Sequence, residues 1–172
     1  MPERLCNVLF LCTHNSARSV MAEALLNTHG HGRFKAFSAG SAPSGRVNPF
    51  AIEMAKTIGY PTDRVRSKSW DEFAADHADT NARAMDIVIT VCDNAATETC
   101  PVWAAPHGTA PATAHWGFAD PSNKPGTDAD KRRAFERVFE AIRADIERLV
   151  ALPVETLDRV ALARELSRIH AP

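Results

Sequence analysis

Short apolar runs alternate along this chain with segments whose apolar residues recur every three to four positions. Cys6 to Leu11 is an apolar, β-rich run and predicts a first strand. After a polar stretch, Val20-Met21-Ala22-Glu23-Ala24-Leu25-Leu26 predicts a helix to about Thr28, stopped by His29-Gly30-His31-Gly32. Phe34 to Ala39 predicts a second strand, leaving through Ser38-Ala39-Gly40 into the turn-rich Ser41-Ala42-Pro43-Ser44-Gly45. Asn48-Pro49 is an N-cap and first-turn pair for a helix over Pro49 to Ile58, with Phe50, Met54 and Ile58 at fourfold spacing and Gly59 as its stop. Tyr60 to Lys68 is irregular. Ser69 or Asp71 then opens a short amphipathic helix with Trp70 and Phe73 on its apolar side.

Asp86 to Val91 is continuously apolar after its first residue, as parallel strands covered on both faces tend to be, and predicts a third strand running into Cys92. A long loop, Asp93 to Ala112, follows; loops of that length in a compact domain are often functional. Ala114-His115-Trp116-Gly117-Phe118 predicts a fourth strand that delivers Asp120-Pro121 to the next loop. Ala129 to Val150 carries the clearest helical period, with Phe135, Val138, Phe139, Ile142, Ile146 and Leu149 on one stripe. Pro153 breaks it, and Leu157 to Ile169 predicts a further helix. This alternation argues an α/β fold: an open four-stranded parallel sheet with helices on both faces. Residues 1–150 form the α/β domain, and 151–172 a C-terminal helical extension of the same domain, packed on it.

Composition narrows the function classes. At 172 residues the chain makes one domain with a sizeable core, and 45% hydrophobic with 24% charged residues is ordinary for a soluble globular protein. A net charge of −1 gives no electrostatic footprint for nucleic acid or an acidic membrane. No apolar run approaches the ~20 residues that span a bilayer, and Met1-Pro2-Glu3-Arg4-Leu5 does not read as a signal peptide. The expected location is cytoplasmic, where four cysteines read as catalytic or redox-active rather than as a disulfide framework. The seven histidines are scattered, with no His/Cys spacing that suggests zinc, so no metal site is expected.

The chemistry concentrates in Cys12-Thr13-His14-Asn15-Ser16-Ala17-Arg18-Ser19, between the first strand and the first helix. Strand end, tight loop and helix N-terminus make an anion site, with loop N–H groups of Thr13, His14, Asn15, Ser16 and Ala17 aimed inward. The Arg18 fork can hold two oxygens of a tetrahedral oxyanion. A thiolate at Cys12 among these donors is expected to lie well below the free value of ~8.5, in the range ~3.5–7.5, with Ser19 donating a hydroxyl to the sulfur. Asn15 tolerates the left-handed backbone such a loop requires. The alternative is that Cys12 is a small apolar residue ending a core strand, with Arg18 on a solvated helix. Cys6 reads as a packing residue of the first strand.

This loop, with Met21-Ala22-Glu23-Ala24 after it, resembles the low-molecular-weight tyrosine phosphatase superfamily, and within it the arsenate reductases. The Ser38-Ala39-Gly40 exit and His115-Trp116-Gly117-Phe118-Ala119-Asp120-Pro121 add to the resemblance, which covers roughly Leu5 to Val150. It implies that Cys12 attacks the substrate, Arg18 binds it, and Asp120 is the general acid that protonates the leaving oxygen. It implies further that Cys92 resolves the Cys12–arsenic adduct by attacking the Cys12 sulfur, and that Cys100 receives the disulfide and presents it to an external reductant. That reductant is thioredoxin or glutathione with glutaredoxin, and no tightly bound cofactor is implied.

Four positions depart from the family pattern. Seven residues separate Cys92 from Cys100, one more than in the thioredoxin-linked pattern. Ala17 stands where many relatives carry a second cysteine beside the loop arginine. Ser122-Asn123 follow Asp120-Pro121 in place of the aromatics that hold a phosphotyrosine ring. Some relatives bind potassium through residues aligning with Asn15, Glu23 and Ser38, and Lys68 falls close to where an acidic ligand of that site would stand. The reading that follows is reduction of arsenate to arsenite. The rivals are a protein tyrosine or small-molecule phosphatase working through a phosphocysteine at Cys12, and a non-enzymatic sensor trapping arsenic on its thiols.

Overall fold

The structure is a computed structural model that describes residues 4–75, 84–93, 95, 101–103 and 110–170. Its strands are β1 (Cys6–Cys12), β2 (Phe34–Gly40), β3 (Ile87–Thr90) and β4 (Ala112–His115), and its helices α1 (Arg18–His29), α2 (Pro49–Thr57), α3 (Asp128–Val150) and α4 (Arg159–Ile169). The strands form one sheet in the order β2-β1-β3-β4, and all three pairings are parallel. β1 is central, and its end is therefore a carboxyl edge flanked on both sides, where open α/β sheets bind ligands.

Alternation along β1 divides the core. Val8 and Phe10 face the side that buries Val20, Met21 and Leu25 of α1, Ala51 and Met54 of α2, Phe135, Phe139 and Ile142 of α3, and Leu162 and Leu166 of α4. Leu9 and Leu11 face the other side, covered by Trp70 and Phe73 of a single helical turn together with Met85 and Val88. Both faces of the central strands are thus dry, which accounts for their unbroken apolar runs.

Local chemistry sets the helix ends. Asn48 caps α2 by accepting from the Phe50 amide at 2.9 Å, with Pro49 in its first turn. Ser69 caps the Trp70–Phe73 turn, which is 3-10 rather than α. α3 opens on a capping box that the sequence reading did not identify: Thr127 accepts from the Asp130 amide at 3.2 Å, and Asp130 accepts from the Thr127 amide at 3.0 Å.

The fourth strand differs from the sequence expectation. It runs over Ala112–His115 rather than Ala114 to Phe118. The Trp116 and Phe118 amides still reach Thr90 O and Val91 O, at 2.8 and 3.2 Å, but both side chains leave the sheet for the C-terminal helix. The Trp116 indole donates to Leu166 O at 2.9 Å, and the Phe118 ring meets the His170 ring edge-on at 4.7 Å. Their apolar character reflects helix packing, not a ladder.

Candidate active site

β1 ends at Cys12, which is buried, and α1 begins at Arg18. The five residues between them close a loop whose carbonyls are held from outside. Thr13 O accepts from Ala42 N at 2.9 Å, His14 O from Ser44 N and Ser67 Oγ at 3.1 and 3.0 Å, and Ser16 O from Asn48 N at 2.9 Å. In a trans peptide the N–H points opposite the carbonyl, so the amides of His14, Asn15 and Ala17 are presented to the other side. α1 has no acidic residue in its first turn and no side-chain cap at Ala17, which leaves its positive end open to an anion.

Two residues hold the loop in this shape. Asn15 sits at φ 48° and is fully buried; its amide donates to Ser19 Oγ at 2.8 Å and its carbonyl oxygen accepts from Lys68 N at 2.9 Å. Gly40, at the end of β2, lies directly beneath. A Cβ there would stand 2.4 Å from Thr13 O and 3.0 Å from Asn15 N and Cys12 O, all backbone atoms. The Ser19 hydroxyl oxygen accepts from Asn15, which leaves its proton for another acceptor.

Arg18 spans the mouth of the loop. Its Nη1 donates to Phe118 O at 2.9 Å, and its Nη2 lies 3.6 Å from Asp120 Oδ2. Its Nε is buried with no hydrogen-bond partner among the described residues. Asp120 caps the turn Pro121–Asn123: its Oδ1 accepts from the Ser122 amide at 2.9 Å and hydroxyl at 2.5 Å, its Oδ2 from Asn123 Nδ2 at 3.3 Å. Partial burial works against ionisation, but the Ser122 hydroxyl and amide, Arg18 and His14 outweigh it and hold the carboxyl below the usual aspartate value.

Cys92 follows β3, the strand beside β1, and is buried like Cys12. Interaction with the Cys12 thiol lowers Cys92 to about 5 despite its burial, with the Ala95 amide and the Thr13 hydroxyl and amide adding to the effect. The Thr13 Oγ1 to Cys92 Sγ distance is 3.7 Å. The same interaction, together with burial, raises Cys12 against the pull of Arg18 and the Thr13 amide. The two thiols are coupled, and their titration belongs to the pair rather than to either sulfur. Cys6, on the buried side of β1, is pushed up to about 12, first by burial and then by Asp86.

The structure thus brings together Cys12, the loop Thr13 to Ala17, Arg18, Ser19, Asp120 and Cys92. Cys100 lies outside the described residues. Sequence reasoning did not find the Phe118 carbonyl on Arg18 or the Ser122 hydroxyl on Asp120. At the Asn15, Glu23 and Ser38 position the Lys68 ammonium is buried, 3.8 Å from Glu23 Oε1 and 3.3 Å from Arg66 O, and Ser38 Oγ donates to Glu23 at 3.4 Å. Burial raises the Glu23 carboxyl, with Lys68 and Ser38 opposing. Among the described residues no group of three or more His, Cys, Asp or Glu could hold a metal, and no helix is long and apolar enough to cross a membrane.

Residues 7–162 match the family model described as low molecular weight phosphotyrosine protein phosphatase. The chain is 35% identical over 135 residues to an arsenate reductase of Bacillus subtilis (strain 168), covering 78% of this chain and 88% of the relative. It is 36% identical, over the same length and coverage, to an arsenate reductase of Halalkalibacterium halodurans. A solved structure described as an arsenate reductase in oxidized state superposes with a TM-score of 0.64 at 27% identity, covering 86% of this chain and 98% of that one.

Proposed function

The chain belongs to the low molecular weight phosphotyrosine protein phosphatase family, and from that membership we propose that it is a thiol-dependent arsenate reductase. The observation that carries this reading is a second buried thiol, Cys92, just past the end of the strand that pairs with the Cys12 strand. A phosphatase needs one nucleophile; a reductase needs a second sulfur, because the two electrons that reduce arsenic come from joining two thiolates as a disulfide.

Arsenate binds in the loop, with Arg18 Nη and Nε and the inward-facing amides of His14, Asn15 and Ala17 on its oxygens. Arg18 and the Thr13 amide favour the Cys12 thiolate, which becomes the nucleophile as its proton is given up to Asp120. Cys12 sulfur attacks arsenic, and one arsenate oxygen leaves as water, taking the thiol proton; Asp120 relays that proton as the As–O bond breaks. Asp120 starts as a carboxylate, so it must accept the proton before it donates it. Cys92 then attacks the Cys12 sulfur. The S–S bond forms, the S–As bond breaks with its electron pair passing to arsenic, As(V) becomes As(III), and two protons from solvent complete arsenite. An external dithiol, thioredoxin or glutathione with glutaredoxin, reduces the disulfide, and Cys100 relays it outward. Such chemistry belongs to the reducing cytoplasm.

The test is arsenate-dependent NADPH oxidation with limiting protein, in the presence of thioredoxin and its reductase or of glutathione, glutaredoxin and glutathione reductase. Multiple turnovers that disappear in Cys12→Ser and stop after the first chemical step in Cys92→Ser support the reading. Aryl phosphate hydrolysis that survives Cys92→Ser, with no arsenate turnover from any donor, replaces it with the phosphatase.

A further inference from the structure

The catalytic arginine is held by a backbone carbonyl, and that stretch of backbone is itself held from the C-terminal end of the chain. Gly117 and Phe118 lie between β4 and Asp120. On one side of Gly117, His115 Nε2 and Asp93 Oδ1 are 2.8 Å apart and leave no room for a Cβ, which would stand 2.7 Å from Asp93 Oδ1 and 3.0 Å from His115 Nε2. On the other side stands His170, the residue that ends α4. Its Nε2 donates to Gly117 O at 3.0 Å, and its ring meets the Phe118 ring edge-on at 4.7 Å. Its Nδ1 donates to Asp145 Oδ2 at 2.5 Å, and Asp145, buried on α3, also takes Arg148 Nη1 on Oδ1 at 2.9 Å. The His170 ring is thereby fixed by two hydrogen bonds between buried Asp145 and the peptide that precedes the arginine's own anchor.

We propose that His170 is a positioning residue for oxyanion binding. Asp145 orients His170, His170 fixes the Gly117–Phe118 peptide, and the Phe118 carbonyl sets the Arg18 guanidinium across the loop at 2.9 Å. The helical extension beyond residue 150 therefore completes the anion site from behind rather than adding a second one. α4 is held beside this chain of contacts through two of its backbone carbonyls: Trp116 Nε1 donates to Leu166 O at 2.9 Å and Arg148 Nη1 to Ile169 O at 3.3 Å. The inference rests on the reading that Arg18 holds the oxyanion. It is independent of whether that oxyanion is reduced.

The test is a phosphorus NMR titration of the full chain with inorganic phosphate, which needs no turnover, alongside arsenate kinetics. His170→Ala weakens phosphate binding about fivefold, the scale of one lost hydrogen bond, and lowers kcat/KM for arsenate by a similar factor. His170→Gln, whose amide can still donate to Gly117 O, recovers most of the loss. Leu166→Ala loosens the same helix without touching the chain of contacts and lowers thermal stability while leaving phosphate affinity at the wild-type value. Asp145→Asn keeps every volume in place and weakens phosphate in the same direction, so the inference stays testable should His170→Ala not fold. Wild-type phosphate affinity in folded His170→Ala or Asp145→Asn overturns it, as does a loss in Leu166→Ala as large as in His170→Ala. Absence of wild-type arsenate turnover with every thiol donor overturns the reductase and leaves the phosphate titration readable.

Discussion

Cys12 and Cys92 stand at the carboxyl ends of two adjacent parallel strands. Leu11 pairs with Thr90, and the Val91 amide donates to Leu11 O at 2.8 Å, so Cys12 lies level with Val91 and Cys92 follows one residue later. The reaction needs a sulfur that attacks and a sulfur that resolves, and the parallel pairing sets the two on neighbouring strands.

This pairing has a pH signature in stability. Cys92 is lowered from 9.0 to about 5 in the folded state, so its contribution is fully present above the unfolded value near 9 and is lost as pH falls toward 5. Cys12 is raised, so its contribution is present below 9 and is lost as pH rises beyond it. The stability advantage of wild type over Cys92→Ser therefore grows from about pH 5 toward about pH 9 in denaturant melts at fixed ionic strength. A constant difference across that window means that Cys92 is not lowered in the folded state.

Asp120 gives the second prediction. Asp120→Asn keeps the Ser122 amide contact and the 3.6 Å approach to Arg18 but cannot carry a proton. In steady-state assays kcat falls about a hundredfold, within the range typical of a lost acid–base group, while KM for arsenate stays within about twofold. A rise in KM with kcat preserved would make Asp120 a binding group for Arg18 instead.

The parts of this site that were legible in the sequence are those built by neighbours in the chain. Cys12, Arg18 and Ser19 belong to one strand-to-helix turn, and the helix start and strand end on either side are local signals. Asn48, Ser69 and Gly59 marked their element ends for the same reason: a cap acts on amides two or three residues away. What was not legible depends on distant partners. Trp116 and Phe118 look like strand residues until α4 is packed beside them. His170 and Asp145 are 25 residues apart and meet only because α4 folds back along α3. The placing of Cys12 and Cys92 on neighbouring strands follows from the pairing of β1 with β3, and no spacing within either segment encodes it.

Gly40 offers a purely steric test of the loop. A Cβ at this position meets three backbone atoms, the nearest 2.4 Å away, and no side chain can give way to relieve it. Gly40→Ala is expected to displace the Cys12–Asn15 backbone and lower kcat/KM about a hundredfold, the cost of a misplacement near 1 Å. It should also destabilise the fold by about 1–3 kcal/mol. Unchanged activity would place the loop elsewhere than on Gly40.

Lys68 and Glu23 carry the last prediction. Both are buried, their charged atoms 3.8 Å apart, and the Lys68 amide simultaneously holds Asn15 Oδ1 at 2.9 Å. The backbone contact survives any side-chain change, so Lys68→Met isolates the charge. It leaves the Glu23 carboxylate buried and without that ammonium, which costs about 3–5 kcal/mol when a buried pair is broken from one side. Glu23 is already raised above 4.5 by its burial, and removing Lys68 removes the largest influence opposing that rise. A raised carboxyl stabilises the fold below its unfolded value and loses that contribution as pH increases, so the penalty of Lys68→Met is small at about pH 4.5 and grows toward neutrality. Urea melts of wild type and Lys68→Met at several pH values measure it. A penalty that is flat with pH would mean that Lys68 stabilises the fold by packing its alkyl stem, and that Glu23 meets its charge through Ser38 and Arg66.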